Sequence, residues 1–171
     1  MGWRRTSIFW KVLLGFAVSV VALAIMVTRI LSNLDTPAES PFRVVRNAEK
    51  TYAGLFPEVG YASNLTVLGP GGPPCTSVHA CLLDNVLACP EGTGAGWCPK
   101  GRYRYNVQSS SRRPPYKDFW LTATPIEWDP KLKSYCMSSD GRVTLGDTQP
   151  LKKPYTLTEC LALPVDPAHA N

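Results

Sequence analysis

"RYRYNV", Arg102 to Val107, carries the clearest strand pattern in the chain. Arg102, Arg104 and Asn106 alternate with Tyr103, Tyr105 and Val107, and a period of two sets the aromatic and aliphatic side chains on one face of a strand, the charged ones on the other. Toward the C-terminus, "DFWLTATPIEW" (118–128) and "KSYCMSSDGRVTLG" (133–146) keep the strand-like composition, and Asp140-Gly141 between two such runs is a hairpin signal. Toward the N-terminus, "PEGTGAGWCPKG" (90–101) is a turn-rich connection. Before it, "HACLLDNVLAC" (79–89) places Leu82, Leu83, Val86 and Leu87 on one face of a short helix. "FPEVGYASNLTVLGPGGPPC" (56–75) is rich in Gly and Pro without long periodicity and is expected to wrap the body. Ahead of that loop Ser40 can cap a helix, Pro41 suits its first turn, and Phe42, Val45, Glu49 and Tyr52 recur at helical spacing. A helix from Pro41 to Leu55 follows, ended by Gly54 and Pro57. The fold class is α+β: a helix packed on a small antiparallel sheet of three or four strands, with a loose tail over 164–171.

The 171 residues leave room for one domain of roughly 100–150 residues and an anchor. No charge falls between Val12 and Val27, and with the flanks Ile8–Phe9 and Ile30–Leu31 the apolar stretch approaches the roughly 20 residues that cross a bilayer. A cleaved secretory signal has a shorter apolar core, of about 7–15 residues, followed by a small-x-small site. No such site precedes Ser32, which favours an uncleaved transmembrane helix. The net charge of +5 suggests nucleic acid or anionic lipid, yet Arg4, Arg5, Lys11 and Arg29 flank the apolar run. From Ile30 onward 14 Lys and Arg face 13 Asp and Glu, so the body is nearly neutral. The expected organisation is a basic cytoplasmic N-terminus (1–11), a single-pass anchor (12–31), a linker (32–40), an extracytoplasmic domain (41–163) and the tail (164–171).

Basic residues flank the anchor on both sides, so cysteines decide its orientation. All six, Cys75, Cys81, Cys89, Cys98, Cys136 and Cys160, lie in the body, and an even number fits an oxidising compartment. Zinc is disfavoured because no C-x2-C knuckle occurs. Six cysteines allow 15 pairings. Nearness in the chain favours Cys75 with Cys81 and Cys89 with Cys98. It leaves Cys136 with Cys160, the pair in the C-terminal third.

Catalytic constellations are sparse. His79 and His169 are the only histidines, both expected at the surface, and neither G-x-S-x-G nor H-E-x-x-H is present. Asp140 and Asp147 are too few for calcium, and a turn is the simpler reading. No enzyme activity, metal, cofactor or small-molecule substrate is expected. Lys100, Arg102, Arg104, Arg112, Arg113 and Lys117 gather within eighteen residues, with Tyr103, Tyr105 and Tyr116 interleaved, a mixture that can pair phosphates and stack bases. Alternation turns Tyr103 and Tyr105 to the core, so nucleic acid is the less favoured partner.

The order anchor, helix, Gly/Pro loop, short helix and small sheet resembles the type IV pilins and type II secretion pseudopilins. "RNAEKTYAGLFPEVGYASNLTVLG", "ACLLDNVLA", "GRYRYNV", "FWLTATP" and "SYCMSSDGRV" resemble successive segments of one bacterial pilin-like group. Glu49, Thr51 and Tyr52 carry a helix-end motif, and Leu82, Leu83, Asp84 and Val86 to Ala88 a second one. The resemblance covers about Arg43 to Val143. It implies a pilin-like body on the periplasmic side of the bacterial inner membrane, with other pilin or pseudopilin subunits as partners. Members of the family are cut after a glycine, which Gly15 and Phe16 fit, and Pro37 stands where the family often has proline. The fifth residue from that cut is Val20, where the family carries a glutamate, and the stalk from Phe16 to Glu49 is several helical turns shorter. A plain anchor with a pilin-like body is therefore the expectation. The alternatives are a solitary tethered binding or adhesion domain and a DNA-capturing subunit.

Overall fold

The computed structural model describes residues 39–89 and 96–169, together with Ser19 and Leu23, both helical. The chain divides into two units, Met1–Thr36 and Pro37–Asn171. Among the described residues no helix is long and apolar enough to cross a membrane. All of the expected anchor (12–31) but Ser19 and Leu23, the Gly15/Phe16 processing site and most of the linker lie outside the described residues.

In the second unit the sequence yields a helix of 17 residues, α1 (Glu39–Leu55). Phe42, Val45, Ala48, Glu49 and Tyr52 form its buried face, while Arg43, Val44, Asn47, Lys50 and Thr51 are exposed. Ser40 lies within the helix instead of capping it. Two one-turn helices follow, α2 (Leu65–Leu68), capped by the Asn64 side chain, and α3 (Asn85–Ala88), capped by Asp84. The segment 56–75 does more than wrap the body, because Ala62 and, from α2, Leu65 and Leu68 enter the core. The helix expected over 79–89 shrinks to α3 for a local reason. The amides of Leu82 and Leu83 donate to the Leu68 carbonyl, which commits their backbone to α2, and Asp84 then starts the helix three residues later than leucine periodicity suggests. Leu83 and Leu87 are buried, but Val86 is 56% exposed.

Five strands make an antiparallel meander in sequence order: β1 (Cys98–Lys100), β2 (Tyr103–Ser109), β3 (Phe119–Pro125), β4 (Tyr135–Ser138) and β5 (Val143–Leu145). The three-residue β1, read from sequence as part of a turn, raises the strand number above three or four. Tyr103, Tyr105 and Val107 are buried as their alternation predicts. In register with them, Leu121, Ala123 and Met137 complete an inner face on which α1 lies, Phe42 meeting Tyr105 and Tyr135 edge-on at 6.3 and 6.4 Å. The β4–β5 turn uses Asp140-Gly141, as expected. Gly141 takes φ +94°, where a side chain would be strained, and a Cβ there would also collide with the Arg46 guanidinium. Arg46 instead donates to the Asp140 carbonyl at 3.0 Å, tying α1 to the hairpin.

Every residue of β3 is buried, because the outer face is covered as well. A C-terminal segment crosses it, with α4 (Leu157–Ala162) opened by a capping box between Thr156 and Glu159. Trp120 Nε1 donates to the Tyr155 carbonyl (2.7 Å), the Leu151 amide to Thr124 Oγ1 (2.9 Å), and Cys136 is bonded to Cys160. The tail expected to be loose continues this cover. Leu145 N donates to Pro164 O and Asp166 N to Val143 O, so residues 164–166 line the free edge of β5, and Pro167–His169 closes with a 3-10 turn. An edge strand's unpaired backbone groups are thereby satisfied.

Candidate functional site

The six cysteines form three disulfides, Cys75–Cys81, Cys89–Cys98 and Cys136–Cys160. They span 6, 9 and 24 residues, so the first two pin local loops and the third fixes the outer cover to β4. The thiols are thus consumed as braces. His79 is half-buried against Gly71, and His169 lies 3.4 Å from the Asp166 carboxylate. Asp140 Oδ1 accepts from Ser138 Oγ (2.6 Å) and from the Arg142 amide (3.0 Å), which holds its carboxyl below the usual range, while Asp147 accepts from Thr148 N (2.6 Å). Both act as turn locks. Among the described residues no group of three or more His, Cys, Asp or Glu is arranged to hold a metal ion.

The cationic cluster does not form one patch. Lys100 pairs with Asp84 at 3.0 Å, and Arg102 bonds Asp129. Arg104 donates to the Leu151 carbonyl at 2.6 Å with its guanidinium 5.0 Å from the Trp97 ring centre. Arg112, Arg113 and Lys117 are exposed on the β2–β3 loop. Even Arg104, the member of the first trio within β2, stands roughly 17 Å from the end of that strand at about 3.3 Å per residue, a distance invisible when the residues are counted along the chain.

Near the first trio lies a surface cleft of about 250 Å³, lined by Gly101, Arg102, Ile126, Glu127, Trp128 and Leu132. One wall is the turn after β1 and the other is the β3–β4 loop. They are cross-linked by the Ile126 amide donating to Arg102 O (2.9 Å) and by the Arg102–Asp129 ion pair. Asp129 also accepts from the Lys131 amide at 2.8 Å, and this bond first, then the Arg102 guanidinium, holds its carboxyl below the ordinary range. Trp128 is 59% and Ile126 44% exposed. Sequence reasoning missed the cleft because it read "DFWLTATPIEW" as one strand. The signal was Pro125, which cannot donate to a ladder and ends β3, leaving Ile126, Glu127 and Trp128 in a loop.

Glu49 is the remaining unusual group. Its Oε2 accepts from the Ala62 amide at 2.7 Å, joining α1 to the loop before α2, and its Oε1 is buried without a partner among the described residues. Burial pushes the carboxyl up to about 8, opposed by the Ala62 hydrogen bond. Comparison with protein-family models, curated proteins and solved structures finds no match for this chain.

Proposed function

We propose that this chain is a non-enzymatic, membrane-anchored pilin-like protein and a minor component of a type IV pilus or a type II secretion pseudopilus. The apolar run that ends at Leu31 would hold it in the bacterial inner membrane by a single pass, with the disulfide-braced body on the periplasmic side. The observation that carries this reading is a 17-residue helix laid across an antiparallel meander whose far face is clamped by a disulfide-tied C-terminal segment. The helix on a small antiparallel sheet is what the resemblance in the segments from Arg43 to Val143 implies, and the clamp lies beyond those segments. Three disulfides in the body agree with an oxidising compartment. The outer strip of α1, with Arg43, Val44, Asn47, Lys50 and Thr51 exposed, is available for a neighbouring subunit.

Intact mass of the membrane-extracted chain, together with its recovery in sheared surface fibres, tests the proposal. Loss of residues 1–15 and enrichment with fibres or with secretion-platform proteins is the expected result for a filament subunit. A full-length monomer absent from fibres turns the assignment to the second reading, a solitary tethered binding domain. Val20 favours that reading, because an uncompensated amino terminus in the membrane is costly without the family's carboxylate. The DNA-capturing alternative retains only Arg112, Arg113 and Lys117, since the other three cations are engaged. Changing those three to Ala should then abolish any salt-dependent binding.

A further inference from the structure

We propose that the cleft between the β1–β2 turn and the β3–β4 loop binds a neutral, gluco-configured pyranoside, with one ring face stacked on Trp128. Three observations lead there. First, the largest side chain in the cleft is left mostly in water: at 59% exposure Trp128 forgoes most of the stabilisation an indole gains by burial, and Ile126 beside it is 44% exposed. Second, the walls are held before any ligand arrives, by the Ile126–Arg102 backbone bond, the Arg102–Asp129 pair and the Asp129–Lys131 bond. A preorganised site loses less on binding than a loop that must order. Third, two of the residues lining the cleft, Arg102 and Glu127, carry a guanidinium and a carboxylate. Such groups donate to and accept from adjacent hydroxyls.

The chemistry of the ligand follows from these parts. An indole face is electron-rich and attracts the weakly positive C–H bonds of a flat ring face. A pyranose whose substituents are all equatorial presents only axial hydrogens on its faces and a rim of vicinal hydroxyls. The cleft, at about 250 Å³, is smaller than the roughly 300–1,000 Å³ of drug-sized pockets, so it accommodates one ring, not a helix or strand. Opposite charges among the lining residues favour a neutral ligand over a phosphate or a polyanion.

The test uses the full chain in a zwitterionic detergent, because maltoside headgroups would compete for the site. Methyl β-D-glucopyranoside is titrated while saturation-transfer NMR of its ring protons is followed, with glycerol as the hydroxyl-rich control lacking a ring face. Saturation with a midpoint on the order of 1–10 mM is expected from a single-ring contact. Trp128→Ala should raise the midpoint at least about tenfold, Trp128→Phe less, and Glu127→Gln about threefold. Both positions are exposed, so unchanged melting of the variants certifies their folding. No saturation to about 100 mM, an equal response to glycerol, or an unchanged midpoint in Trp128→Ala overturns the proposal.

Discussion

The two faces of the sheet are closed in different ways. On the inner face Phe42, Val45 and Tyr52 of α1 interlock with Tyr105, Leu121 and Met137 in one apolar cluster that also takes in α2 and α3. On the outer face the apolar cluster is small, built around Trp120, Cys136 and Cys160, and the buried neighbours Thr122, Thr124, Ser134, Ser138 and Thr144 are hydroxyl-bearing. Apolar area removed from water stabilises the first at about 25 cal/mol per Å² without regard to direction. The second holds an irregular segment in place through a covalent bond and individual side-chain-to-backbone hydrogen bonds. The inner face should therefore determine whether the body folds, and the outer cover whether that fold stays closed.

The largest effect expected from this comparison is Phe42→Ala. The ring is 2% exposed and meets two tyrosines, so its deletion should cost about 3–5 kcal/mol and lower the melting temperature of the whole body. Replacing Cys136 and Cys160 together with Ser should cost about 2–4 kcal/mol, but locally. Limited proteolysis is expected to cut within residues 147–163 while far-ultraviolet circular dichroism of the sheet persists. If both variants melt with the same loss of sheet signal and no early cut, the two faces form one cooperative unit and the comparison breaks.

Glu49 tests it from the inner side, as the only buried polar or charged residue on α1 among the described side chains. The ordinary value of its carboxyl is 4.5, and burial pushes it up to about 8 in the folded body. Between those values the folded state holds the extra proton. Stability from this group is therefore complete below pH 4.5 and is lost as pH rises through 8, with a slope of at most about 1.4 kcal/mol per pH unit. Thermal melts at pH 5, 6.5 and 8 should show the decline, and Glu49→Gln should flatten it while keeping an acceptor for Ala62. A wild-type profile already flat over that range removes Glu49 from the account.

Features written in nearest-neighbour terms were legible in the sequence. The Tyr103/Tyr105/Val107 alternation, the Asp140-Gly141 turn, the α1 face and the local loops closed by Cys75–Cys81 and Cys89–Cys98 each depend on residues fewer than ten positions apart. What failed depends on long-range placement. The cationic cluster divides because an antiparallel hairpin carries Arg112, Arg113 and Lys117 away from Arg102. Val86 faces water because Leu82 and Leu83 are bonded to Leu68 from another element. Residues 164–166 look like an ordinary polar tail, and only the position of β5 shows that an edge awaits them. The Trp128 cleft was hidden by composition, since Ile126 and Trp128 suit a strand as well as the strand before them, and a single proline marks the change.

The smallest predicted effect separates a hydroxyl that works on the outer face from one that does not. Thr124 Oγ1 accepts from the Leu151 amide and lies 2.9 Å from Ser134 Oγ, whereas Thr122 Oγ1, two residues away on the same face of β3, is buried without a partner among the described residues. Valine keeps the branched shape in both places and removes only the oxygen. At Thr124 it strands the Leu151 N–H, so Thr124→Val should cost about 1–2 kcal/mol. Amide exchange should accelerate at Leu151 and along the segment it anchors more than in β2 or α1. At Thr122 the same change strands nothing and relieves a buried polar atom, so Thr122→Val should be neutral or stabilising. Equal losses from the two valines would mean that shape alone governs the outer face. The hydrogen bonds to the C-terminal segment would then be a consequence of the disulfide holding it there, not a second hold of their own.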